Sequence, residues 1–175
     1  LYPSDLLNPS PRYDTGLLAA TSPDPKRKDV LEMLLRIFDR EGLRLVPTLQ
    51  LATPLPRLEA LRSTHDPGSM GVELVNQDGQ PWLKQITPSA GLGADYNPLC
   101  EPVQAEIAQL VSELSQRYGK HDAFSGVGIQ LSGEGFAMLP GLNWALDDKS
   151  IDSFSKDTGV SLPSEGDDRF IRRAE

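Results

Sequence analysis

Glu101-Pro-Val-Gln-Ala-Glu-Ile-Ala-Gln-Leu-Val-Ser-Glu-Leu-Ser-Gln-Arg-Tyr118, then Phe124-Ser-Gly-Val-Gly-Ile-Gln-Leu131 and Ser132-Gly-Glu-Gly135, is the stretch that decides the fold class. In its first part Val103, Ile107, Leu110, Val111, Leu114 and Tyr118 recur at intervals of four, three, one, three and four. That spacing lays one apolar stripe along an amphipathic helix. The second run is short, apolar-rich and free of charge, as a buried strand is. The third places a carboxylate, Glu134, between two glycines just past the strand's C-terminal end. That is where α/β barrels keep their chemistry.

The same order of elements is met upstream. Asp29 opens a helix whose inner face is expected from Val30, Leu31, Leu34, Ile37 and Phe38, and Gly42 is placed to end it in the left-handed conformation. Leu43-Arg-Leu-Val-Pro-Thr-Leu-Gln-Leu51 follows as a strand, shortened or pushed to an edge by Pro47, which lacks a ladder donor. Two helix–strand units predict neighbouring parallel strands with both helices packed against them. Between them lies a long connection, residues 52–97, with a short helix over Pro54–Arg62 and a hairpin turning at Asn76-Gln-Asp-Gly79. Before the first helix, Leu17-Leu-Ala-Ala20 marks a short strand in a loop-like segment. After Glu134 come the loop Phe136–Trp144, a short helix capped by Asp147 or Asp148 and closed by Gly159, and a last helix started near Asp168.

The 175 residues read as one partial (β/α)-barrel domain, residues 1–175, cut at both ends, because a complete barrel needs roughly 250 residues. Opened sheet edges then predict self-association, or covering of the opening by the long connection of residues 52–97. Twenty-five acidic against seventeen basic residues leave a net charge of −8, which disfavours nucleic acid and anionic membrane surfaces as partners. No apolar run approaches the roughly 20 residues that span a bilayer. The lone Cys100 excludes an internal disulfide, and no base stands beside it in sequence to activate a thiolate. His65 and His121 lack a partner at metal-type spacing, the aspartate pairs lack the spaced oxygens of a calcium loop, and the glycines of 126–135 form no phosphate fingerprint. No metal and no cofactor are expected.

Tyr96-Asn-Pro-Leu99, the helix to Tyr118, Phe124–Leu131, Leu139-Pro-Gly141, Trp144, Phe154-Ser-Lys-Asp-Thr-Gly159 and the helix from Lys28 to Leu43 together resemble the bacterial proteins called family 10 glycosyl hydrolase-like. The resemblance covers most of Tyr13 to Pro163. It implies a (β/α)₈ barrel of the glycoside hydrolase type, a carbohydrate partner and an extracytoplasmic location; the residues themselves leave the compartment open.

Glycoside hydrolysis uses two carboxyl groups flanking the scissile bond, one as acid and one as nucleophile or base. Glu134 is the candidate acid/base, with hydrogen bonding inside a glycine-rich turn as its plain alternative. Asp95, Asp147 and Asp148 sit at loop or cap positions and none is an equal candidate for the second carboxylate. Trp82, Tyr96 and Trp144 fall on the expected mouth loops, where flat aromatics suit a sugar face. Gln130, at the strand's end, joins them as a candidate substrate-binding residue. The leading expectation is a carbohydrate-active hydrolase barrel; the alternative is a non-catalytic carbohydrate-binding or assembly module.

Overall fold

The computed structural model describes residues 2, 4, 6, 7, 29–64, 70–82, 96–132 and 135–175. In chain order the described elements are α1 (Val30–Glu41), β1 (Thr48–Leu49), α2 (Pro56–Thr64), α3 (Glu101–Tyr118), β2 (Gly128–Ile129), α4 (Asp148–Thr158) and α5 (Arg169–Ala174). They fall into two compact units, Leu1–Leu49 with Ala108–Gly128, and Gln50–Ile107 with Ile129–Glu175. The Leu17–Ala20 strand expectation lies outside the described residues.

The first unit follows the helix–strand order that its sequence predicts. Asp29 caps α1 by accepting from the Glu32 N–H at 2.9 Å, and Gly42 ends it at φ +65°. Leu31 and Leu35 of α1 pack with Leu114, Tyr118 and Ala123, and Leu45, Leu49, Phe124 and Val127 of the strand region lean on the same cluster. Each fully buried leucine here contributes about 1.5–3 kcal/mol. Tyr118, the last residue of α3, also donates its hydroxyl to the Asp29 carboxylate at 2.7 Å, so one aspartate serves two helix ends.

The strands pair in parallel, as expected. Leu45 is bridged to Phe124; the Leu45 N–H donates to the Ala123 carbonyl at 2.8 Å, and the Ser125 N–H to the Leu45 carbonyl at 3.0 Å. Pro47 contributes its carbonyl instead of a donor, accepting from the Gly128 N–H at 2.8 Å. Both strands are shorter than Leu43–Leu51 and Phe124–Leu131. Pro47 interrupts one ladder, and Gly126, at φ +134°, bends the other away from extended geometry. The described sheet is thus a two-stranded parallel pair with helices beside it, a mixed α/β arrangement.

Of the five residues expected on the inner face of α1, Leu31 and Phe38 pack inward. Val30, Leu34 and Ile37 do not; they are exposed together with Met33. Leu35, four after Leu31 and three before Phe38, completes the packed edge. The helix is apolar on two sides, and periodicity alone does not say which side meets the strands.

The second unit has little regular structure. Helix α2 starts two residues later than expected. The hairpin is present as isolated pairings: Val75 opposite Pro81, with the Trp82 N–H donating to the Leu74 carbonyl at 2.8 Å. Its turn is set by Asn76, whose side-chain oxygen accepts from the N–H groups of Asp78 at 3.0 Å and Gln80 at 2.9 Å. Gly79 takes φ +68°, and a Cβ there would stand 2.8 Å from the Phe170 ring. Asp147, rather than Asp148, caps α4, and Gly159 closes it at φ +72°. Leu51, Leu55, Leu58, Val72, Leu74, Tyr96, Val103 and Phe136 supply buried apolar surface.

Candidate functional site

Glu134, the candidate acid/base, lies outside the described residues, as do Asp95 and His65. Its neighbours are placed. Gln130 follows β2 and is exposed, as is Leu131. The buried Ser132 hydroxyl has no hydrogen-bond partner among the described residues. Gly135 is buried, and a Cβ added to it would stand 2.9 Å from the Leu51 carbonyl oxygen. The Phe136 N–H donates to that same carbonyl at 2.8 Å. The chain is therefore pinned one and two residues beyond Glu134 by backbone that only glycine lets approach.

Trp82 and Trp144 are brought together. Their rings meet edge to face at 4.5 Å between centroids and 70° between planes, and both are half-buried. Trp144 is paired with Asn76 of the turn, and the Leu146 N–H donates to the Val75 carbonyl at 3.1 Å. The Trp82 indole nitrogen is buried with no acceptor among the described residues.

Tyr96 does not join them. It was expected on a mouth loop; it is wholly buried, edge to face with Phe136 at 4.9 Å. Its hydroxyl accepts from the Leu55 N–H at 2.9 Å and donates to Glu59 at 2.5 Å. Burial, helped by the Glu59 carboxylate, pushes its phenol well above the ordinary range. With no open face, the ring works as core.

Three polar clusters escape a reading by sequence spacing. In the second unit, the buried Asn97 amide donates to Asp147 at 3.1 Å and to the Ser150 hydroxyl at 2.7 Å, while its oxygen accepts from the Leu99 N–H at 3.0 Å. Asp147 accepts in addition from the Ser150 N–H at 2.9 Å and hydroxyl at 2.7 Å. Burial raises the Asp147 carboxyl above its ordinary value. Every polar atom of this group has a partner, so it holds backbone and leaves nothing over for a substrate. Nearby in the same unit, Arg62 bridges Glu59 at 2.7 Å and Glu73 at 3.1 Å. Cys100 is buried, its thiol pushed up by burial and its sulfur 3.4 Å from the Met70 carbonyl, which keeps it a thiol.

The third cluster belongs to the first unit. His121 sits with Nδ1 at 2.6 Å from Asp39 and Nε2 at 2.9 Å from Glu32. The other Asp39 oxygen accepts from the Ala123 N–H at 2.7 Å. Glu32 and Asp39 stand two turns apart on α1, a spacing visible in sequence; their partner lies 89 and 82 residues away, which is not.

The first unit also carries a cavity of about 260 Å³ lined largely by Val30, Leu31, Leu34, Leu45, Leu49 and Leu114. Its walls are apolar and lack the convergent polar groups of a catalytic pocket. Among the described residues no three His, Cys, Asp or Glu side chains are grouped to hold a metal ion, and no helix is long and apolar enough to cross a membrane. Comparison of the chain with protein-family models, with curated proteins and with solved structures finds no match.

Proposed function

We propose that this chain contributes to a carbohydrate-active α/β barrel, with Glu134 as acid/base. The supporting observation is the parallel pairing of the β1 and β2 regions, with α1 and α3 packed beside it. Parallel strands covered by helices are the repeating element of such barrels, and their C-terminal ends carry the reactive groups. Glu134 follows β2 by five positions, and the chain beyond it is tethered at Gly135 and Phe136 to the segment that follows β1. Proton transfer requires a carboxylate held in place, and the described backbone beyond this position is fixed. Gln130 would hydrogen-bond a sugar hydroxyl from the same strand end.

The test is glycan cleavage by the protein that carries this sequence, beside its Glu134→Gln variant. The substitution keeps the shape and removes the transferable proton, so the rate should fall about 10²–10⁴-fold with glycan affinity retained. Equal, measurable rates in both proteins remove Glu134 from the mechanism.

The second reading is a non-catalytic carbohydrate-binding module. The Trp82–Trp144 pair favours it, because half-buried indoles offer apolar ring surface to a sugar. Glycan binding without cleavage in either protein, lost on Trp144→Ala, selects this reading.

A further inference from the structure

Among the described residues outside the proposed site, the Glu32–His121–Asp39 cluster carries a sharp geometric constraint. Both ring nitrogens of His121 face carboxylate oxygens at hydrogen-bond distance. A carboxylate is an acceptor only, and a neutral imidazole has one donor and one lone pair. The arrangement is therefore complete only for the imidazolium, which has two donors. A neutral ring would point its lone pair at an oxygen 2.6 or 2.9 Å away.

The described charged groups around the ring are few. From α1 come Glu32, Asp39 and Arg36, the last bound to Glu32 at 2.9 Å. From the loop itself comes Lys120, 3.8 Å from Glu32 and well exposed. Arg44, before β1, reaches the Asp122 carbonyl. The His121 side chain is 8 % exposed, so water does not readily replace a lost partner.

We propose that Glu32, His121 and Asp39 form a proton-controlled latch, which fastens the loop at residues 119–123 to α1 while His121 is charged and lets it go when the ring is neutral. The loop matters because it delivers Ala123 into two bonds at once. The Ala123 N–H meets Asp39, and its carbonyl accepts from Leu45, the contact that opens the parallel strand pairing. Loosening the latch thus loosens the start of the β2 region.

The pH dependence has a defined sign. The hydrogen bond to Asp39, opposed by burial and reinforced by Glu32, raises the His121 value above its ordinary 6.5. A raised histidine stabilises the folded chain fully below the unfolded value and stops doing so as pH rises through the folded one. Asp39 and Glu32 are lowered, each chiefly by its bond to His121, so their contribution is lost as pH falls through their folded values. The latch is tightest in mildly acidic solution.

Proton-detected titration of the whole chain tests this. The His121 ring should titrate above 6.5, and the Ala123 amide resonance should shift with the same midpoint. Between about pH 5.5 and about pH 8.5 the melting temperature should fall, and His121→Gln should remove that fall while His65→Gln keeps it. Should His121→Gln fail to fold, Asp39→Asn serves: it should bring the His121 midpoint down. A His121 midpoint at or below 6.5, an Ala123 amide that ignores it, or a slope that survives His121→Gln overturns the latch. None of these readouts depends on glycan binding, so the latch and the proposed function fail separately.

Discussion

The two units of this molecule are held by different means. The first is a periodic structure: two helices close on a parallel strand pair through leucines, a tyrosine and short aliphatic groups. The second keeps much of its backbone irregular and stabilises it with buried polar side chains, above all Asn97, Asp147, Asn76 and Arg173. Arg173 shows the logic. Its guanidinium donates to the carbonyls of Pro163 and Leu146, each at 2.7 Å, and pairs with Asp148. Backbone carbonyls that no ladder serves are served by a side chain. Periodic burial and polar bracing fail differently: the first loses energy with lost volume, the second with lost partners.

The largest expected effect is in the periodic unit. Leu35→Ala deletes a wholly buried side chain of the α1–α3 cluster and should cost about 2–5 kcal/mol. Hydrogen exchange should accelerate at Leu114 and Ala123 and hold at Asn97 and Ile151. Equal acceleration at all four would show one cooperative structure and end the contrast.

Asp147→Ala should cost about 1–3 kcal/mol, because it removes the α4 cap and one acceptor of the buried Asn97 amide. The exchange pattern should invert, with Ile151 and Asn97 losing protection first. Calorimetry showing no loss would mean that water replaces the carboxylate and that polar bracing is weaker than its hydrogen bonds suggest. The smallest change is Tyr96→Phe, at about 1 kcal/mol. It spares the ring packed on Phe136 and strips only the oxygen that serves Leu55 and Glu59. A loss several times larger would sharpen the contrast, since the hydroxyl would then outweigh the ring's own burial.

The same division explains what could be read in advance. Helix α3 announces itself because Leu110, Leu114 and Tyr118 repeat with the helical period, and Asp29 and Gly42 mark the ends of α1 by cap chemistry. Pro47 foretells a broken strand from its missing donor. None of these needs a distant partner. Tyr96 and Asn97 do: a tyrosine beside an asparagine and a proline looks like loop, and only the folded contacts of Phe136, Glu59 and Asp147 make it core. Asp147 was legible as a cap but not as the acceptor of an amide 50 residues away. His121 fails as a signal for the same reason, its carboxylates being far off in the chain. At the candidate site, Glu134 rests on its place after β2, while of the three aromatics two meet and one is buried.

The chain has two tryptophans, Trp82 and Trp144, and both belong to the second unit, in contact with each other. Tyr2 and Tyr118, at 6.2 Å, are the aromatic pair of the first. Indole emission is thereby assigned to one unit without any label. Light absorbed by indole reports the polar-braced unit alone, and the touching rings give it a coupled circular-dichroism band that vanishes once they part. The phenols do not divide so cleanly, since Tyr96 belongs to the second unit and Tyr2 and Tyr118 to the first, so the indole signals alone record when one half of the molecule opens.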